Sequence, residues 1–261
     1  MIRFVDNQNA EKDYQTACNF DDVYGTINAY LFRIHSSDKQ ALFWNVYDTN
    51  KSLCGNLSFV NDTFTLCVED DKCNEEIAHF IDFWGNFSFV NFNFCKVNKL
   101  YGKEITSVKL SNGEILSAKC HFNTDDISAE LCKDISLYDA FCLFKDSFPE
   151  KFNNLQFSTF NYDMNYRLRH NESFLYGIKY NGILASVLEV MCRFDNSVVL
   201  GSLATHKDYR NRGFASSLLK MVTRQFADSN VYIFADNEQL SDLYKKIGFK
   251  KYSEWAQLTL A

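Results

Sequence analysis

One proline, Pro149, and ten glycines occur among 261 residues. That scarcity excludes a collagen-like repeat, a proline-rich linker and a flexible low-complexity tail. No run of about 18 apolar residues is present, which excludes the ordinary signature of a transmembrane helix. The opening MIRFVDNQNAEKDYQ has acids and amides where a secretory signal would have an apolar stretch. The nine cysteines are odd in number and contain no Cys-x-x-Cys pair. Cys67/Cys73 and Cys132/Cys142 are too loosely spaced for a zinc knuckle, and the five histidines are scattered, so no metal is expected. The thiols read instead as reduced, small core residues. These absences predict a soluble, cytoplasmic protein.

What is present is apolar and aromatic. With 46% hydrophobic and 16% aromatic residues, the chain can bury one large core or two small ones, and disorder is excluded. The net charge of −6 is unevenly spread. Residues 201–261 hold nine Lys/Arg against six Asp/Glu, or +3, which leaves −9 on residues 1–200. A basic end on an acidic protein suits a small anionic ligand better than a nucleic-acid backbone.

Local patterns predict a mixed α/β chain in two domains, 1–123 and 124–261. The division falls near CHFNTDDISAE, after an expected hairpin EITSVKL-SNG-EILSAKC whose turn signal is Asn112-Gly113. Asp126 or Ser128 is a candidate helix cap. A helix follows with apolar positions 137, 140, 141, 144 and 148, limited by Pro149. NLQFSTFNYDMNYRLRH reads as a second helix. Two strands then meet at Asn181-Gly182, and SVVLGSLATH is a third strand with Gly201 as a bulge. Residues 215, 218, 219, 222 and 226 give a one-sided helix from near Phe214. VYIFAD is a strand, and Asn237 caps a helix with Leu240, Leu243, Tyr244 and Ile247 on one face, closed by Gly248. One or two strands end the chain.

Chemistry concentrates in DYRNRGFASSLLK, residues 208–220. A strand ending at Thr205, a tight loop over 206–213 and a helix from 214 present free backbone N–H groups at the positive end of a helix dipole. Gly213 lets a ligand approach without a Cβ, and Arg210 and Arg212 flank the loop. Such a loop is suited to a pyrophosphate. The plain alternative is an ordinary strand–helix turn with solvated arginines. The chain has neither G-x-x-x-x-G-K-[ST] nor a G-x-G-x-x-G after a strand, which excludes the two other common phosphate loops. Some thirty residues on stands NEQLSDLYKKIGF, with Asn237 and Tyr244 seven apart, two turns along one helix face. For Tyr244 alone, core packing is the plain alternative.

Taken together, the two stretches resemble the GNAT superfamily of N-acetyltransferases. YRNRGFAS is similar to that family's acyl-CoA signature, Gln/Arg-x-x-Gly-x-Gly/Ala, at Arg210, Gly213 and Ala215, and N-x6-LYKKIGF is similar to its second motif. The likeness covers roughly residues 125–261 and looks closest to glycine N-acyltransferase-like proteins. Lys207 departs from it, standing where the family often has proline. The resemblance implies acetyl-CoA as acyl donor. Backbone groups of Leu203, Ala204 and Thr205 would pair with the pantetheine arm like an added strand. Amides from Asn211 through Arg212, Gly213, Phe214 and Ala215 to Ser216 would hold the pyrophosphate. Asn237 would contact the cofactor arm, and Tyr244 would be the general acid that protonates the departing thiolate. A backbone N–H near Thr205 would face the developing oxyanion.

An attacking amine must lose a proton, and Glu189 in the adjacent strand is the candidate base, with His206 behind it. A solvated strand residue and a loop histidine are their plain alternatives. Asp163, Arg167 and the hairpin tip near Asn181 are candidates for acceptor selection. The acceptor is expected to be a small-molecule or peptide amine, with no nucleic acid and no membrane involved. A non-catalytic acyl-CoA-binding regulatory module is the competing reading.

The first half has a fainter pattern. Strand 63–68, a helix with Ile77, Phe80, Ile81 and Trp84 on one face, and strand 87–94 read as a degenerate copy of the same fold. Its corresponding loop, EDDKCN, has three carboxylates and no glycine, which would repel a pyrophosphate. A structural or substrate-shaping role is expected there.

Overall fold

A computed structural model describes residues 1–97, 108–119 and 130–260. The first part of the chain runs β1 (Ile2–Phe4), α1 (Gln8–Ala17), α2 (Tyr24–His35), β2 (Leu42–Tyr47), β3 (Leu53–Val60), β4 (Thr63–Val68), α3 (Asn74–Trp84) and β5 (Phe89–Asn93). Next come β6 (Val108–Ala118), the two-residue β7 (Leu131–Cys132), α4 (Leu137–Ser147), the single turn α5 (Pro149–Phe152) and α6 (Phe157–Arg169). The rest runs β8 (Phe174–Tyr180), β9 (Ile183–Phe194), β10 (Ser197–Thr205), α7 (Phe214–Gln225), β11 (Asn230–Ala235), α8 (Glu238–Ile247) and β12 (Lys250–Leu260). Mixed α/β architecture is therefore observed.

Two compact units emerge, and neither is one continuous stretch. The first comprises residues 1–115, 234–237 and 251–261; the second comprises 116–233 and 238–250. The expected division at 123/124, and the expected caps Asp126 and Ser128, lie outside the described residues.

In the first unit the strand order is β1-β2-β3-β4-β5-β12-β6. The β4–β5 pair is parallel, and β12 runs antiparallel to β5 with Leu258 opposite Val90. The chain's last strand thus completes the sheet begun by its first half. Helices α1 and α2 pack on β2, β3 and β4. Helix α3 buries Ile77, Ala78 and Ile81 in a core with Trp44, Phe64, Phe92 and Leu258, and Phe80 and Trp84 pack at its margin. The strand–helix–strand pattern foreseen for residues 63–94 is present. Residues 1–62 add elements that sequence patterns did not resolve.

The expected hairpin at Asn112-Gly113 is not formed. Residues 108–118 are one continuous strand, and neither Asn112 nor Gly113 has a positive φ. Gly113 has another cause. A Cβ there would lie 2.3 Å from the Ala235 carbonyl oxygen and 2.6 Å from Trp255 Nε1. Close approach of the indole, which donates to Ala235 O at 3.1 Å, is what requires glycine.

In the second unit the order is β11-β10-β9-β8-β7, with only β10–β11 parallel among its described pairs. Asn181 (φ 51°) and Gly182 (φ 78°) make the predicted two-residue turn between β8 and β9. Helices α4 and α6 cover one face through Phe141, Phe144, Phe160 and Met164, set against Leu175, Val187 and Ala204. Ser136 caps α4 by accepting from Asp139 N–H at 3.2 Å, and Pro149 opens the short α5. Helix α7 packs on β8, β9 and β10 through buried Leu218, Leu219 and Val222.

Candidate active site

Strands β10 and β11 are paired over only three positions, Ser197–Val199 with Asn230–Tyr232. Beyond Val199 the antiparallel partner β9 continues alone alongside β10, with Leu203, Ala204 and Thr205 opposite Leu188, Val187 and Ser186. The other edge of β10 is thereby left open over 200–205. The cause lies partly in a bulge: Leu200 pairs with Val190 and Leu203 with Leu188, so Gly201 and Ser202 together oppose Glu189. The predicted bulge at Gly201 is present. Ser186 Oγ donates to Ala204 O at 2.9 Å and lies 3.0 Å from Thr205 Oγ1, which steadies the end of the strand.

After Thr205 the chain makes a short 3₁₀ turn, Lys207–Tyr209, capped by His206, whose Nδ1 accepts from Asp208 N–H at 3.3 Å. Arg210 Nε donates back to Thr205 O at 3.1 Å. Asn211 (φ 60°) and Gly213 (φ 82°) are both left-handed, and Gly213 leads directly into α7. A side chain at 213 would be strained, so backbone geometry calls for glycine there. Aromatic rings brace the loop: Tyr209 lies 5.9 Å from Phe214 and 5.6 Å from Tyr180, with the Arg212 guanidinium 5.5 Å from the Tyr209 ring. Among the described residues, none of the N–H groups of 211–216 meets an acceptor. Exposed Arg210 and Arg212 add positive charge to this row of donors and to the helix dipole behind it. An anion fits here.

Helix α8 places Tyr244 on its buried face with Ser241 and Ile247, 4% exposed and 6.3 Å from the Phe249 ring. Gly248 (φ 117°) closes the helix, its N–H donating to Tyr244 O and Lys245 O. Asn237 is exposed and immediately precedes the helix. Tyr244 lies in the same compact unit as the loop, whereas Asn237 groups with residues 234–237 of the other.

Glu189 is not a solvated strand residue. Its side chain is 12% exposed, and its Oε1 accepts from Arg167 Nη1 at 2.8 Å. Arg167, 13% exposed, also pairs through Nη2 with Asp163 Oδ2 at 2.7 Å, one helical turn earlier on α6. Three residues singled out separately in the sequence are therefore joined in one chain of charges. A cleft of about 490 Å³ lies beside His206, lined also by Asp139, Cys142, Asp146, Gly182 and Ile183. Sequence patterns had not distinguished Asp139 and Asp146, since charges on an exposed helix face carry no marker of a cleft. Among the described residues no group of three His, Cys, Asp or Glu is placed to hold a metal ion, and no helix is long and apolar enough to cross a membrane.

Comparisons with known proteins bear on the fold. The chain is similar over its full length to an acetyltransferase of the GNAT family from Colwellia psychrerythraea, at 15% identity, 100% coverage of both chains and a TM-score of 0.61. It is similar to a tandem GNAT protein from the clavulanic acid biosynthesis pathway, at 12% identity, covering 99% of this chain and 98% of that one, with a TM-score of 0.59. A GCN5-related N-acetyltransferase from Kribbella flavida matches at 8% identity over 93% and 95%, with a TM-score of 0.61. These likenesses are of fold, and the tandem one fits a GNAT-like copy in each half. No curated protein matches the chain in sequence. Residues 137–249 match the acetyltransferase (GNAT) family, which marks a GNAT domain within that stretch.

Proposed function

We propose that the protein transfers an acetyl group from acetyl-CoA to a primary amine by direct attack within a ternary complex. The observation that carries this reading is the unsatisfied row of N–H groups over 211–216, next to a β10 edge left open by β11. The first suits the diphosphate and the second suits an amide-bearing arm that adds like a strand. The arm would run along Leu203–Thr205, with Asn237 as a further contact. The amine nitrogen attacks the thioester carbonyl carbon, and a backbone N–H near Thr205 faces the oxyanion. Collapse breaks the carbon–sulfur bond. Tyr244 gives its proton to the leaving thiolate, and Glu189 takes the proton lost by the amine.

The acceptor in this reading is a small-molecule or peptide amine, not nucleic acid or lipid; Asp139 and Asp146 in the cleft, which outnumber its Lys207, support a positively charged one. A cytoplasmic location belongs to the same proposal and is supported by eight free cysteines among the described residues. So does kinship with glycine N-acyltransferase-like proteins, for which the loop and helix motifs are the support.

The test is thiol release from acetyl-CoA in the presence of a broad amine panel, with Tyr244→Phe alongside. The expected outcome is amine-dependent release that falls about 100-fold in kcat in the variant, while CoA affinity changes less than about twofold. Tight CoA binding without release by the wild type would make the protein a non-catalytic acyl-CoA-binding module. Unchanged turnover in the variant would assign the proton to another group.

A further inference from the structure

The Glu189 carboxylate is held asymmetrically. Oε1 is fixed by Arg167, whereas Oε2 has no hydrogen-bond partner among the described residues. Oε2 faces β10 at its bulge, where a Cβ on Gly201 would come within 2.9 Å of it. Gly201 therefore leaves room for this oxygen beside the strand edge that β11 has abandoned. Across β8 the residue opposite Glu189 is Leu175, and on β10 the neighbour is Gly201, so neither flanking strand brings charge. The charged groups facing Glu189 come from α6: Arg167 directly and Asp163 through it. Arg167 Nη1 also lies 3.4 Å from Ser173 Oγ, whose own proton goes to Met191 O at 2.7 Å. The guanidinium is thus anchored from α6 and from the start of β8.

A carboxylate this deeply placed, left without a cation, favours its protonated form. A protonated Glu189 cannot accept a proton from an amine. Asp163, half exposed, keeps Arg167 extended toward Glu189 without competing for the same nitrogen. From this geometry we infer that Arg167 is a positioning residue for the transfer reaction, holding Glu189 with one oxygen free at the β10 bulge, and that Gly201 supplies the space for that oxygen. The inference rests on the acyltransferase reading and on Glu189 as the amine's base. It adds a function for α6, which otherwise serves as one wall of the core.

The experiment is the pH–rate profile of kcat for the full chain with acetyl-CoA and the best amine from the panel, comparing wild type, Arg167→Met, Arg167→Lys and Gly201→Ala. Loss of the cation should move the acidic limb of Arg167→Met upward by about one pH unit or more and lower kcat at neutral pH tenfold or more, with CoA affinity unchanged. Arg167→Lys, which keeps the charge but cannot bridge both carboxylates, should recover part of the rate and part of the shift. Should Arg167→Met fail to fold, Gly201→Ala still tests the geometry: its methyl displaces Oε2, and kcat should fall severalfold with CoA affinity intact. If the wild type transfers acetyl while the limb stays in place in the arginine variants and Gly201→Ala is fully active, the ion pair is only structural and the inference is overturned, leaving the acyltransferase reading intact. A wild type that transfers nothing overturns both.

Discussion

The loop after β10 and the loop after β4 occupy equivalent places in two similar strand–loop–helix–strand units, and they have opposite chemistry. In both units a parallel strand pair is short: Thr63–Thr65 with Phe89–Asn91, and Ser197–Val199 with Asn230–Tyr232. After the split, the second unit leaves the β10 edge open and the N–H groups of 211–216 unsatisfied. The first unit consumes part of its donors internally. Asn74 N–H goes to Asp71 O and Lys72 N–H to the Asp70 carboxylate, which the Lys72 amine beside it holds below the usual range. Cys73, not a left-handed glycine, precedes α3, and Glu75 and Glu76 fill the helix's first turn. Past the split, Cys67 Sγ donates to Ala17 O, and Asn93 donates to buried Asp21, which Lys96 also approaches. One unit sets its free donors among arginines; the other uses part of its donors internally and sets carboxylates beside the rest. The likeness of fold therefore says little about which half carries a ligand, and hydrogen-bond accounting says much.

The sharpest way to break this contrast is to give the second loop the character of the first. Gly213→Glu forces a side chain into a left-handed position and sets a carboxylate where an anion should bind. Strain of roughly 1–2 kcal/mol plus charge repulsion should weaken CoA at least about 100-fold, read by calorimetric titration. Wild-type affinity would move the anion site elsewhere. A smaller effect separates the units from the other side. In the first unit Asn56 Nδ2 donates to Tyr14 O and Cys18 Sγ, its Oδ1 accepts from Asn28 Nδ2, and Asn28 Oδ1 accepts from Ser58 Oγ. Asn56→Ala leaves several of these buried groups unpaired and should cost about 2–4 kcal/mol of stability, measured by denaturant unfolding. CoA affinity of the folded variant should stay within about twofold. A parallel loss of binding would show that the polar core of the first unit also shapes the cofactor site.

How legible the molecule was in its sequence follows the same division. The second half was read almost element by element because its signals are local: Asn181-Gly182 for a turn, Gly201 for a bulge, Gly248 for a helix end. Asn112-Gly113 misled, because a glycine demanded by the approach of Trp255 carries the same letters as a glycine demanded by a turn. Residues 1–62 were not resolved, since strands such as LCGNLSFV are buried along nearly their full length and show no alternation. The place of β12 beside β5 was invisible for a different reason: pairing between residues 89–93 and 255–259 leaves no mark in either stretch. Glu189, Asp163 and Arg167 could each be suspected from the sequence, but only folding brings them within 3 Å of one another in series.

The last difference is silent at neutral pH and concerns protons. Burial raises the phenols of Tyr14 and Tyr24 and the thiol of Cys67 well above their usual values, and pushes the Cys18 thiol up to about 12, against the Asn56 hydrogen bond and the Arg33 charge. All four belong to the first unit. In the second unit Tyr176 is raised as well, again chiefly by burial. Each group stays protonated in the folded state while the unfolded chain begins to release its proton near pH 9–10. Between that point and the folded value the unfolded state binds fewer protons, so stability is complete below about pH 9 and declines as pH rises toward 12. The four groups clustered in the first unit should make the decline marked there. Segment-resolved hydrogen exchange across an alkaline series, corrected for the faster intrinsic exchange, should therefore show residues 14–30 and 54–68 losing protection before 183–205. Simultaneous loss in both sets would mean that the two units unfold as one cooperative body, and that the buried thiols and phenols of the first destabilise the acetyltransferase domain as well.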